Sequence, residues 1–421
     1  MLRVFIQPIL VLTITSPDAT GKIIYTLDGS NPQNSSTAIT GGTSVNISIN
    51  PSSTAGSRSL TPAVVVRASI AKEGFIPSKP ASRTFIYLNK VKTQDHPGGD
   101  WPTDNVNGQI LDFEMDPDVV NDNRYSDEMD EAFKDIPTLS VITDIDNLFG
   151  AENGIYVNAW GHGLAWEREC SFELINPDGS PGFNVNAGIR MRGGWSRHND
   201  YPKHAFRVFF RSEYGNGKLK FPLFGNEGVS EFDKIDLRCE QNYGWQHGDS
   251  RNTGVREVFS RDTQRDMGKP YTRSRYYHLY LNGMYWGIYQ TQERAEARYA
   301  ESYFGDDADD YDVVKVSTEN WNYTIEATDG YLDAWEDLYE LCDQDFADNK
   351  NYYKLIGKDA NGNNDPNGRI IVDIDNLIDY MLSIFYTGNF DAPTSSFGNN
   401  KSANNFLQFI TEKINPKVLF F

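Results

Sequence analysis

The sequence predicts a multidomain chain. An all-β sandwich over residues 1–88 is followed by a polar connector over 89–136. An α+β domain then fills 137–421, rich in strands at first and helical later. Three observations predict this order. Short apolar runs between Gly, Ser, Pro and Asn turns fill the first segment, as in strands packed into a sandwich. An acidic stretch punctuated by Pro and Gly comes next. Strand-like and helix-like periodicities then follow each other to the end. At 421 residues the chain also exceeds what one hydrophobic core usually serves.

The opening run from Met1 to Leu12 is apolar, but Pro8 interrupts it and no small-residue cleavage site follows. It reads as a first strand, of a chain expected to begin further upstream. Ile23 to Leu27 is strand-like and closes on Asp28-Gly29-Ser30-Asn31-Pro32, a dense turn signal. Val45 to Ile49 alternates as a half-buried strand does, and Val64 to Ile70 and Thr84 to Leu88 complete the series. In the connector, the acidic run from Asp112 to Asp135 lacks the ligand spacing of a calcium-binding loop and reads as a solvated segment. Beyond it, Thr138 to Ile142 and Cys170 to Ile175 read as strands, and Arg256 to Met267 as a helix. Tyr276 to Leu281, Asn282-Gly283 and Trp286 to Thr291 predict a hairpin. Residues 329–356 and 370–386 carry amphipathic helical patterns, so the later half is expected to be predominantly helical.

A formal net charge of −20 speaks against a nucleic-acid-binding surface, which needs clustered Lys and Arg. No stretch approaches the length of an apolar membrane span. Cys170, Cys239 and Cys342 lack zinc-site spacing and permit at most one disulfide.

Chemistry concentrates in the middle of the chain. Gly188 to Met191 runs as a strand into Arg192-Gly193-Gly194-Trp195-Ser196, where a glycine turn lets backbone amides approach an anion. A second basic strand, Pro202 to Phe210, follows. Alternation puts Lys203, Ala205, Arg207 and Phe209 on one face, opposite His204, Phe206, Val208 and Phe210. Lys203 and Arg207 beside the glycine turn suit phosphates; salt bridges to the many carboxylates are the alternative. Gly-Gly in a hairpin is also often just a turn.

These residues carry a resemblance. Gly188-Ile189-Arg190-Met191-Arg192-Gly193-Gly194-Trp195-Ser196-Arg197, Pro202 to Phe206 and Leu219 to Phe224 resemble the spore coat protein H (CotH) kinase family. So do the segment Tyr277 to Glu293 around its Asn-Gly hairpin, and Asn389-Phe390-Asp391 with Asn404-Asn405-Phe406. The resemblance implies an atypical bilobal protein-kinase-like fold and transfer of the ATP γ-phosphate to Ser or Thr of secreted or surface proteins. On that pattern Arg192, Gly193, Gly194 and Arg207 would meet the phosphates, and Lys203 would pair with them. Glu257 would pair with Lys203, and Glu293 would lie at an adenine-contacting hinge. Asp391 would be the catalytic carboxylate at the acceptor hydroxyl, and Asn405 would ligate Mg²⁺. Separately, Ile24 to Pro32, Arg67-Ala68 and Gly74 to Ser78 resemble the chitobiase/β-hexosaminidase C-terminal module. That immunoglobulin-like accessory domain of secreted bacterial proteins implies a spacer or a carbohydrate-binding role, and an extracellular or cell-surface setting.

The pattern departs from the family's near the end. The step from Asp391 to Asn405 is long for a catalytic loop, leaving Asn399, Asn400 and Asn404 as competitors for the amide role. After Asn405 the only carboxylate is Glu412, so the Asp that would hold Mg²⁺ is missing and the domain reads as truncated. A noncatalytic surface scaffold is therefore the alternative function, with Trp160, Trp166, Trp245 and Trp321 as candidate sugar-stacking residues. A glycosidase ranks third, since no carboxylate pair can be singled out.

Overall fold

The computed structural model describes residues 9–241, 244, 250–317, 323–394, 401–411 and 418–420. The chain forms two compact units, residues 1–254 with 274–292, and residues 255–273 with 293–421.

The first unit begins with strands β1 (Leu10–Thr15), β2 (Lys22–Thr26), β3 (Ile39–Thr40), β4 (Ser44–Ile49), β5 (Ala63–Ala71) and β6 (Ala81–Ile86). β1 and β4 form one antiparallel sheet, and β3-β2-β5-β6 a second. Leu12, Ile47 and Ile49 of the first sheet share a core with Val64, Val66 and Phe85 of the second. The N-terminal segment is thus all-β, with two small sheets in two layers.

Residues 89–136 do more than connect. They carry three short helices, α1 (Leu88–Val91), α2 (Pro117–Val120) and α3 (Met129–Asp135). They also send Trp101 and Phe113 into the core of the next domain. Buried Gln94 donates to the carbonyls of Phe113 (2.8 Å) and Tyr285 (2.9 Å). The acidic average of the segment hides two aromatic anchors, whose burial outweighs its polarity.

The next strands are β7 (Thr138–Ile142), β8 (Arg168–Ile175), β9 (Asn184–Arg192) and β10 (Ala205–Phe209), with helix α4 (Ile145–Phe149) after β7. A small ribbon, β11 (Leu219–Lys220) with β12 (Glu231–Phe232), precedes β13 (Lys234–Arg238), β14 (Ser274–Leu281) and β15 (Met284–Gln292). Seven of these strands close into a barrel in the order β10-β13-β15-β14-β7-β8-β9. All pairs are antiparallel except β14 with β7. Alternation decides which side chains point in: Ile189 and Met191, Phe206 and Val208, and Ile235 and Leu237 fill the interior. The outward partners on β7 and β8 are polar and meet the sandwich. Arg83 pairs with buried Glu173 at 2.6 Å, and the Thr84 amide donates to the same carboxylate at 2.9 Å. Ser82 bonds Ser171 at 2.7 Å, and Thr84 bonds Ser140 at 2.8 Å.

The second unit opens with α5 (Arg256–Asp266), followed by α6 (Ala297–Phe304), β16 (Tyr311–Ser317), β17 (Thr324–Asp329), α7 (Asp333–Cys342), α8 (Lys350–Leu355), α9 (Ile374–Thr387), β18 (Leu407–Thr411) and β19 (Val418–Phe420). Among the described residues its helices hold more of the unit than its strands do, but the strands are not incidental. A four-stranded sheet, β17-β16-β18-β19, runs through the unit. Its inner strands are buried on both faces: Val313 and Phe409 pack with α6, and Val314 and Ile410 with α7 and α8. The pattern over 329–356 resolves into the two short helices α7 and α8. All three cysteines are free, and among the described residues no helix is long and apolar enough to cross a membrane.

Candidate functional site

The glycine turn after β9 wraps the side chain of Arg197. Gly193 has φ +119°, and a Cβ there would lie 2.0 Å from the Ser196 hydroxyl. The carbonyls around it converge on the buried Arg197 guanidinium, which donates to Gly193 (2.5 Å), Met191 (3.0 Å), Ala159 (2.6 Å) and Gly161 (3.1 Å). Burial lowers Arg197 to about 10. Gly193 and Gly194 therefore close a turn whose carbonyl oxygens both accept from Arg197, through its Nε and its backbone N–H. Arg197 was within the quoted motif, but nothing in its spacing revealed that it fills the turn.

The next two cations are bound to protein carboxylates. Arg192 lies on β9 and Arg207 on β10, and both converge on Asp236 of β13, which is 1% exposed. Arg192 Nε is 2.7 Å from Asp236 Oδ2, and Arg207 bonds both carboxylate oxygens at 2.5 and 2.8 Å. A second pairing repeats the arrangement, with Arg190 and Arg211 meeting Glu167 at 2.6 and 2.8 Å. Cross-strand register explains the first group, since Arg207 sits opposite Arg190 on one side and Asp236 on the other. Salt bridging, the alternative reading of this basic cluster, is what the structure realises.

Lys203 does not join Arg207. β10 starts only at Ala205, so the alternation does not extend back through Pro202 and Lys203. The ammonium group lies 4.1 Å from the centre of the buried Trp286 ring and donates to the Asp112 carbonyl at 2.7 Å. Burial lowers its pKa, against the pull of nearby Asp112. The adjoining His204 bonds Ser196 O and Gln109 Oε1, so the segment 109–113 is fastened at two neighbouring positions.

In the second unit Glu293 is 5% exposed and engaged by its own surroundings. Arg273 bonds its carboxylate through the guanidinium (3.0 Å) and the backbone amide (2.9 Å), and the Tyr303 hydroxyl also donates to it. Burial raises its pKa, while Tyr303 and Arg273 oppose the rise. The carboxylate is thus a structural partner and not an open ligand group. Glu257 lies one helical turn from Arg261, at 3.6 Å.

Asp391 and two of the candidate amides do come together. Buried Asn404 donates from Nδ2 to Asp391 Oδ1 at 2.7 Å, and Asn405 donates to the Asp391 backbone carbonyl at 3.0 Å. A bridge between Thr394 and Ala403 closes the base of the loop between them. Asn405 has φ +38°, and its amide faces the backbone, so Asn404 is the residue that touches the carboxylate. The exposed Asp391 side chain is held at one oxygen. Asn399, Asn400, Glu412, Trp245 and Trp321 lie outside the described residues. Among the described residues no cluster of three or more His, Cys, Asp or Glu is placed to hold a metal ion.

A family model described as CotH kinase protein matches residues 189–410, just over half of the chain. The chain belongs to this family. The match starts within β9 and ends within β18; it does not reach the N-terminal sandwich. No curated protein matches the chain.

Kinase-family chemistry implies ATP and Mg²⁺, and the residues present answer that implication unevenly. Arg192, Arg207 and Lys203 are each committed to a protein acceptor, and Glu293 to Arg273 and Tyr303. As these side chains stand, each is engaged within the protein. The exposed Asp391 with its Asn404 donor is the part that suits proton handling at an acceptor hydroxyl.

Proposed function

We propose that the chain is a phosphotransferase of the CotH kinase family acting on Ser or Thr of secreted or surface proteins. The observation that carries the reading is an exposed carboxylate, Asp391, oriented by a buried amide, Asn404, inside the family-matched segment. In this role Asp391 would accept a hydrogen bond from the acceptor hydroxyl and take its proton, while the bond from that oxygen to the γ-phosphorus forms, the bond from the γ-phosphorus to the bridging oxygen breaks, and ADP leaves. Asn404 fixes which carboxylate oxygen is presented. ATP with Mg²⁺ is the donor that family membership supports. The resemblance of the N-terminal strands to a chitobiase-type spacer or surface-binding module supports a setting outside the cell or on its surface.

A second reading is a noncatalytic scaffold, favoured by the internal pairing of Arg192, Arg207 and Lys203. Incubation with Mg²⁺, γ-labelled ATP and a Ser/Thr-rich protein acceptor separates the two. Label transfer is expected, together with a rise in melting temperature on adding MgATP. Absence of both results favours the scaffold.

A further inference from the structure

A cleft of about 340 Å³ opens on the first unit, beside the turn filled by Arg197. It is lined by Trp160, Trp166, Asn107, Asn158 and Asn199, with the loop 157–161 completing the wall. No lining side chain is ionisable. The two nearby cations are committed elsewhere: Arg197 to the carbonyls around the glycine turn, and Arg168 to Asn153 O and Ala165 O. An anionic ligand therefore meets no charged donor among the lining side chains, which favours a neutral one.

The lining is rigid. Arg197 ties Ala159 and Gly161 to the barrel. Gly161 lies flat on the Trp166 ring, so closely that a Cβ would sit 2.2 Å from the ring carbon Cδ2. Asn107 turns its amide hydrogens inward, to Ala151 O (2.8 Å) and Asn158 Oδ1 (2.9 Å). Asn158 donates to Ala151 O and Gly154 O, and Asn199 to Asn107 O. The side-chain oxygens of Asn107 and Asn199 are left as acceptors. Trp166 is occupied in seating the loop, but Trp160 is 47% exposed and offers the platform.

We infer that this cleft binds a neutral saccharide, with one sugar ring stacked on Trp160 and its hydroxyls donating to Asn107 and Asn199. An exposed indole beside fixed amide oxygens, with no charge, matches the apolar face and hydroxyl edge of a pyranose. The site lies in the barrel unit and is separate from the sandwich to which sugar binding was assigned by resemblance. It does not depend on the phosphotransferase reading.

The test titrates the full chain with di- and tetrasaccharides of N-acetylglucosamine and of glucose, each to roughly 10 mM, followed by calorimetry and tryptophan fluorescence. At least one series is expected to bind saturably. Trp160→Ala should weaken that binding by about tenfold or more without changing the melting temperature. Phe75→Ala, on the exposed tip of the sandwich, should leave it unchanged. Three results overturn the inference: no saccharide binds, binding survives Trp160→Ala, or MgATP competes for the site.

Discussion

At Asp236 one buried carboxylate holds the guanidinium groups of two strands, so its removal leaves two cations facing each other. Asp236→Ala should cost about 3 kcal/mol in urea unfolding, while Arg192→Ala should cost less, because Arg207 keeps its two bonds. If both variants are equally mild, these arginines are not held as described. The second residue-scale prediction concerns His278, whose neutral ring is satisfied by Tyr285 OH at Nδ1 and Ala132 O at Nε2, both at 3.1 Å. Burial lowers its pKa. Unfolded histidine binds its proton near the ordinary value of about 6.5. Just below that pH the unfolded state therefore carries more protons, and stability falls as pH falls. His278 should contribute a slope of up to about 1.4 kcal/mol per pH unit. Unfolding midpoints measured from pH 7 to 5 should fall less steeply in His278→Gln; parallel curves would exclude the assignment.

The hairpin of β14 and β15 shows what can be read from sequence and why. Asn282 and Gly283 take φ +46° and +83°, the left-handed pair that Asn-Gly favours. The Asn282 amide also bonds both the N–H (2.8 Å) and C=O (2.7 Å) of Thr143, a tertiary role the dipeptide does not announce. Asn282→Ala should destabilise by about 2 kcal/mol, through the lost bonds and the unfavourable φ. Helix α9 was equally legible. Its Asp373 cap bonds the Asn376 amide at 2.8 Å, and Gly388 ends it at φ +63°. What stayed illegible was non-local. Barrel closure depends on pairings between strands far apart, such as β13 with β15 and β7 with β14. The inward commitment of Lys203 depends on a carbonyl 91 residues earlier in the chain. Ordered motifs gave the family and drew attention to Asp391. They could not say whether a nearby Arg meets a phosphate or a carboxylate, nor that Asn404 rather than Asn405 touches Asp391.

Over the whole chain, the sandwich and barrel share one compact unit, joined through the buried Glu173 and a row of serines and threonines. Amide exchange in β6 should therefore be protected to a degree similar to that in β8. Rapid exchange across β6 alone would show the sandwich to be an independent module. The proposed phosphoryl transfer is most directly tested at Asp391. The decisive measurement is the rate of label transfer from γ-labelled ATP, with Mg²⁺, to a Ser/Thr-rich acceptor, compared across wild type, Asp391→Asn and Asn404→Ala at matched melting temperature. The account predicts a loss of at least about a hundredfold for Asp391→Asn and a smaller loss for Asn404→Ala. Transfer at the wild-type rate in Asp391→Asn would contradict it.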